Sequence, residues 1–394
     1  MIYLLAVLTA VAWVGGIMYT PALPAVAAEF GATKAEIGIT VAAFMAGFAI
    51  GQLFYGSVSD RFGRRPVLLI SLVIYGVGTV AVALAPSLAL LSAARVLQAV
   101  GAAGGVVLAR AVVRDIVSFE GSARGMAILN IGSSIAPALS LIAGGALASY
   151  VGWRGLFWIS AAIIVVFYVI THLALRETRP PELRTRPGLV EEIRGWLTFL
   201  RSRVFLAFAV SQALLNSAIF AFVAGGPFYL VDQFDASETM IGIILALFPT
   251  GFLFGNLLST QISRRVGMSS QLWMGALISA IAGALFLTLH GADALSLVII
   301  GVLSFTYTFG IGLHIPNATA GAIEVNPRLS GTGSALYGFI TFGATAFSSL
   351  LVGYIDDGSG GGLFALMLAL GVAGLLTTFV AIAVSPAHLM RAGS

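Results

Sequence analysis

Cysteine is absent from the 394 residues, which excludes disulfides and every cysteine-based metal or redox centre. Charge is nearly as scarce. Asp, Glu, Lys and Arg together make up 9% of the chain, too little to cover the surface of a water-soluble protein of this length. None of the four histidines lies near another, and no His, Asp, Glu or Ser cluster gathers at one place, so neither a metal site nor an enzyme's catalytic group is expected. No cofactor is expected either. What fills the chain is apolar: 59% of residues are hydrophobic and the mean hydropathy is +1.02. A soluble fold could not hide that much apolar surface, so the chain reads as an all-α integral membrane protein.

A bilayer core about 30 Å thick needs roughly 20 apolar residues per helical span. Twelve such runs lie near 3–27, 37–58, 67–85, 88–113, 125–150, 155–175, 204–231, 240–262, 271–289, 295–322, 331–355 and 363–385. They are too long and too uniformly apolar for the strands of a membrane barrel. Lys and Arg accumulate in loops that stay in the cytoplasm, and the link at 59–66 sets that side. The same side receives Arg110, Arg114, Arg124, the seven arginines from Arg176 to Arg203, Arg264, Arg265, Arg328 and Arg391, leaving only Lys34, Arg95 and Arg154 elsewhere. Both termini are thus expected in the cytoplasm. The net charge of +4 is spread over loops without aromatic interleaving, so it signals topology and not nucleic-acid binding.

The longest polar interval, 176–203, divides the spans six and six: an N-terminal bundle over 1–175, a linker over 176–203 and a C-terminal bundle over 204–394. Within the linker, Leu189, Ile193, Trp196 and Leu200 fall on one helical face opposite Glu191, Glu192, Arg194 and Arg201, the pattern of a helix lying in the membrane interface. Two six-span halves suggest an internal repeat of the kind that rocks about a site at mid-membrane. Gly56-Ser57-Val58-Ser59-Asp60-Arg61-Phe62-Gly63-Arg64-Arg65-Pro66 links spans 2 and 3, and Ser263-Arg264-Arg265-Val266-Gly267 is its fainter counterpart after span 8.

These residues resemble the major facilitator superfamily, and within it the twelve-span drug:proton antiporters of the Bcr/CflA type. The Gly56–Pro66 link carries the superfamily's signature order. Arg95-Val96-Leu97-Gln98-Ala99-Val100-Gly101, Leu108-Ala109-Arg110, Val113-Arg114-Asp115, Tyr19-Thr20-Pro21, Gly152-Trp153-Arg154 and Arg176-Glu177-Thr178-Arg179-Pro180 add to the likeness. The resemblance implies two pseudo-symmetric six-helix bundles in a bacterial inner membrane, a monomer, small-molecule substrates and exchange for protons. It is drawn with two departures: Ile17 stands where relatives often carry an acid, and Ser140-Leu141 where a small residue followed by proline is usual.

The residues themselves assign parts. Asp60 at the end of span 2 suits a cytoplasmic latch to the positive N-terminus of span 11 near Gly331, with Arg110 and Arg114 on span 4, while Gly56, Arg61, Gly63, Arg64 and Arg65 complete the gate. Small residues and proline in span 5 (Pro137, Gly144, Gly145) let helices approach closely and bend. Placing every Asp and Glu by topology leaves none at the midplane, so the candidates for carrying a proton are Asp60, Asp232 at the outer end of span 7 and His314 in span 10, while the resemblance implies a part in proton coupling for Arg95, whose polar pocket Gln98 can share. Trp13, Tyr19, Asn216, Phe220, Tyr307 and Tyr337 could line an apolar cavity for small lipophilic compounds.

Overall fold

A computed structural model describes residues 1–116, 119–184, 189–263 and 265–386. Arg186, Arg264 and Arg391 lie outside them, as do the side chains of Arg124 and Leu189. The described chain is helical, and its helices are α1 (Ile2–Ile17), α2 (Leu23–Phe30), α3 (Lys34–Phe62), α4 (Arg64–Ala83), α5 (Leu88–Ile116), α6 (Phe119–Ala174), α7 (Leu189–Leu200), α8 (Arg203–Phe234), α9 (Glu238–Ile262), α10 (Met268–Gly291), α11 (Leu297–Glu324), α12 (Ser330–Ile355) and α13 (Gly361–Val384). α1 and α2 together make the first span. The helix α6 is two spans in one, broken where Gly152 adopts φ 67° and ψ 170°. Only glycine takes that dihedral pair without strain, so the turn between spans 5 and 6 depends on it. The total is twelve spans.

The N-terminal bundle packs α5 against α3, α4 and α1, and α1 against α6; the C-terminal bundle repeats the plan with α11 against α9, α10 and α8, and α8 against α13. Two seams join the bundles, α3 with α12 and α6 with α9, as a twofold relation between the halves requires. Pro137 lies inside α6 without breaking it, and Gly144 and Gly145 stand where neighbouring backbones approach closely. A Cβ on Gly144 would meet the Met18 carbonyl of the first span, and one on Gly145 the Glu238 carbonyl of α9.

The expected linker helix exists as α7, but its apolar face divides. Phe199 is buried and Trp196 half-buried, the latter edge-on to Phe54 of α3 at 6.1 Å. Val190, Ile193, Leu197 and Leu200 point outward instead. The bundle thus claims Trp196, which the one-face reading had placed with Ile193.

Candidate functional site

At the arginine-rich end, the link between α3 and α4 organises a cluster of ion pairs. Asp60 pairs with Arg64 at 2.8 Å and Arg179 at 3.4 Å, and Arg64 also reaches Asp115 of α5 at 2.9 Å. Arg64 further donates to the Ser59 hydroxyl. Glu177, from the chain after span 6, accepts from the backbone amides of Arg64 (2.9 Å), Arg65 (3.3 Å), Thr178 (3.0 Å) and Arg179 (2.9 Å). A carboxylate is thereby set on the positive end of α4, where its first amides lack helical partners. Gly63 permits this twice over. Its φ of 102° is a glycine conformation, and a Cβ there would strike the Glu177 carboxylate. Arg65 donates to the carbonyls of Leu175 (2.8 Å) and His172 (2.9 Å), tying span 3 to span 6.

Two expectations about this gate are revised. Asp60 draws its partners from Arg64 and Arg179, whereas Arg110 and Arg114 are exposed at the end of α5 and form none of the ion pairs among the described residues. The expected contact with the start of span 11 is not formed either: no hydrogen bond or ion pair links Asp60 to α12 among the described residues, and nothing lies within 4 Å of where a Gly331 Cβ would stand. Gly56 is likewise open. Arg61 is exposed, with its guanidinium over the Phe62 ring at 5.2 Å. The sequence reading missed Glu177, although Arg176-Glu177-Thr178-Arg179-Pro180 had been singled out, because a contact spanning 113 residues leaves no local signal.

Beside the fainter counterpart in the C-terminal bundle, Ser259 donates to Gln271 at 2.6 Å, Asn317 donates to both at 3.3 Å, and Gln271 donates to the Val266 carbonyl at 2.9 Å.

At the opposite end the bundles touch at backbone level. Cβ atoms would reach the Ala35 Cα at 2.5 Å from Gly353, Ser349 O at 2.8 Å from Gly38, and Leu141 O at 2.5 Å from Gly242. Lys34 of α3 pairs with Asp232 of α8 at 2.6 Å, the one ion pair between the two bundles among the described residues. Asp232, expected as a proton-coupling candidate, is therefore part of this seal. Nearby, Glu29 accepts from Trp153 Nε1 at 2.6 Å and pairs with Arg154, whose other nitrogen donates to Ala85 O at 2.9 Å. The Gly152-Trp153-Arg154 motif thus staples spans 1, 3 and 6 together.

Between the ends, polar groups sit inside each bundle. Arg95 is 1% exposed. Its Nη1 donates to Gly15 O (3.0 Å) and Gln98 Oε1 (2.7 Å), and its Nη2 to Gly16 O (2.7 Å). Those carbonyls belong to the last turn of α1, where helical acceptors run out of partners and the macrodipole is negative. The guanidinium is also sandwiched between Phe44 at 4.2 Å and Tyr19 at 4.5 Å. Gln98 completes the net by donating to Thr79 at 3.0 Å. Arg95 therefore caps α1, within span 1, and carries its charge without a carboxylate.

His314 is fully buried among α8, α11 and α13. Its Nδ1 lies 3.1 Å from Gln212 Oε1, and its Nε2 lies 3.0 Å from the Thr378 hydroxyl and 3.4 Å from Ser211. No Asp or Glu is buried among the described residues, as topology had led us to expect.

Of the expected cavity residues, only Trp13 meets the opposite bundle through an aromatic contact. Its ring meets those of Phe48 at 5.2 Å and Phe342 at 6.2 Å, tilted to both, and those two meet edge-on at 4.8 Å. Phe48 and Phe342 went unrecognised in the sequence because the contact between halves defines them. Tyr19 is buried with its hydroxyl 3.0 Å from Thr40, and Tyr307 is fully buried inside the C-terminal bundle. Phe220 and Tyr337 are 9% and 8% exposed, and Asn216 is half-buried on α8. Gln52 approaches Gly338 across the α3–α12 seam, 3.0 Å from where its Cβ would stand.

A family model described as Major Facilitator Superfamily matches residues 5–349. Multidrug resistance protein D of Escherichia coli (strain K12) is 28% identical over 373 residues, covering 93% of this chain and 92% of that protein. Multidrug resistance protein MdtL of Escherichia coli O81 (strain ED1a) is 29% identical over 301 residues, 76% of either chain. Among solved structures, the xylose transporter XylE from E. coli, in a partially occluded inward open conformation, matches with a TM-score of 0.76 at 15% identity over 96% of both chains. At that identity the likeness is one of fold.

Proposed function

Because the chain belongs to the Major Facilitator Superfamily of membrane transporters, we propose that it exports small lipophilic compounds from the cytoplasm by alternating access, in exchange for protons. One observation carries the reading. The two bundles are joined at backbone level at the end opposite the arginines, while the ion pairs at the arginine-rich end stay within the N-terminal bundle and the linker that follows it. A pair of rigid bundles sealed at one end only is one arm of a rocking cycle. With the arginine-rich end and both termini in the cytoplasm, this arm is open to the inside.

The choice of cargo rests on the aromatic trio Trp13, Phe48 and Phe342 across the halves, and on the lack, among the described residues, of a buried carboxylate to hold a cation. The kinship with two proteins named for multidrug resistance supports the same choice. The test is a survey in everted membrane vesicles. Lipophilic neutral compounds are expected to collapse an imposed pH gradient only when the protein is present; accumulation of substrate in the opposite direction, or indifference of the gradient, would overturn the proposal.

The proton step is assigned to His314, the buried titratable group whose ring bridges three helices. Arg95 is held positively charged by its cage, and Asp232 is engaged in the outer seal. His314→Gln keeps a side chain that hydrogen-bonds Gln212 or Thr378, and is expected to fold normally but to lose substrate-induced proton release. Release at the wild-type rate would remove His314 from the mechanism.

The outer seal gives a smaller effect. Both side chains of the Lys34–Asp232 pair are partly exposed, at 31% and 44%, so the pair contributes at most about 1 kcal/mol. Lys34→Gln is expected to raise the outward-open fraction by no more than about fivefold. The absence of native cysteine makes this directly readable by labelling an Ala35→Cys reporter, without a cysteine-free background having to be built first.

A further inference from the structure

Beside the ion-pair cluster, a concavity of about 350 Å³ opens between the end of α3 and the start of the linker, lined by Arg61, Phe62, Pro181 and Arg184. That volume falls within the roughly 300–1,000 Å³ of small-ligand sites. Neither of its two guanidinium groups forms an ion pair among the described residues, although Arg184 Nη2 and the Glu177 carboxylate both border Gly63. Arg61 leans on its own neighbour Phe62, and among the described residues Arg184 donates to the Arg179 carbonyl, at 3.3 Å. The nearby carboxylates are already committed: Asp60 to Arg64 and Arg179, Glu177 to four backbone amides. Glu182 is exposed and does not line the space. The concavity is therefore a cationic cup.

An apolar track leads to it. Ile50, Phe54, Val58 and Phe62 recur every four residues along α3 and are exposed, the last of them forming a wall of the cup. Four-residue spacing stacks them on one helix face. A ligand matching both features has a hydrocarbon chain and, at its end, an anionic group at the level of the membrane surface. Guanidinium forks favour phosphate oxygens, and basic groups just outside a span attract anionic headgroups.

We propose that this cup binds the phosphate of an anionic phospholipid from the leaflet on the arginine-rich side, with an acyl chain along Ile50, Phe54, Val58 and Phe62. Through Arg184 and the Arg179 carbonyl, a bound lipid fastens the linker to the end of α3 beside the Asp60 ion pairs. The inference needs the membrane fold but not the exporter reading, and a binding measurement separates the two.

The purified full-length protein, in detergent micelles, is titrated with phosphatidylglycerol or phosphatidylcholine, and its thermal melting is followed. Phosphatidylglycerol is expected to stabilise it selectively. The double variant Arg61→Gln/Arg184→Gln should weaken the apparent affinity for phosphatidylglycerol by roughly thirtyfold, at the usual worth of two basic groups near a surface. Arg61→Gln alone, which removes a side chain without an ionic partner, should weaken it by about fivefold and guards against misfolding of the double variant. The comparison pair is Arg194→Gln/Arg201→Gln, which removes the same charge from exposed positions away from the cup. Equal weakening by that pair would show diffuse electrostatics and overturn the site. So would a stabilisation reproduced by inorganic phosphate alone, which would make the ligand a free anion, or a response identical for both lipids.

Discussion

Arg95→Ala is expected to remove both folded protein and transport. The guanidinium supplies donors to Gly15 O, Gly16 O and Gln98 Oε1 in a place sealed from solvent. Alanine leaves those acceptors buried without donors, at about 1–3 kcal/mol each, and adds the void between Phe44 and Tyr19. Even a total of about 3–5 kcal/mol is a large share of a typical fold's stability. Loss of monodisperse protein on size exclusion, with a lowered melting temperature, is the expected measurement. Arg95→Lys separates cage from charge. It keeps the positive charge but has one compact ammonium where the planar fork reached acceptors on two helices, so it should recover only part of the stability. A well-folded Arg95→Ala protein with normal melting would show that the α1 terminus does not depend on this residue.

Asp60→Asn is expected to spare the fold and cripple transport, and the contrast with Arg95 is the point of the pair. The Asp60 side chain is 33% exposed, so its pairs with Arg64 and Arg179 add little to global stability once water screens them. Arg64 also retains Asp115 in the variant. The proposed role of Asp60 lies in the other arm of the cycle, when the arginine-rich end closes and the carboxylate meets the positive N-terminus of α12. A charge at such a helix end is worth about 0.3–2 kcal/mol. Losing 1–2 kcal/mol from one of two states shifts their ratio by about five- to thirtyfold, enough to starve the outward-open state. Transport in everted vesicles should fall by that factor while melting stays within about 1 kcal/mol of wild type. Asp60→Glu should restore part of the activity, because it returns the charge one methylene further out. Normal cycling in Asp60→Asn would sink the latch.

These two residues also show how far the sequence can be read. Arg95 was legible as unusual because an intramembrane charge is costly and demands a partner. Gln98, three residues on, was legible as one partner; the others were not, since they are two carbonyls of another helix and two aromatic faces, 80 residues away or less, and not an acid. Asp60 was legible through its company of glycine, arginine and proline. Its partners were not: helical spacing points to Arg110 and Arg114 on span 4, whereas Arg64 and Arg179 take the carboxylate, because such spacing ranks neighbours within a helix and says nothing about a linker folding back. Tyr307 shows the same limit for the cavity: an aromatic in a span reads alike whether it faces the interface between bundles or, as here, the core of one.

Composition and hydropathy by themselves determined the membrane, the number of spans and their division into two six-helix bundles. Each of these follows from local or summed properties: the apolar length that crosses a bilayer, the arginine bias of its loops, and the positions of a few charges. Tertiary structure alone decided that the bundles touch at backbone level at the end opposite the arginines, that Lys34 and Asp232 meet across the halves, that Glu177 crowns α4, and that Arg61 and Arg184 border one cup. Those contacts join residues far apart in the chain, and their geometry depends on how whole bundles dock. Only the packed molecule contains that information.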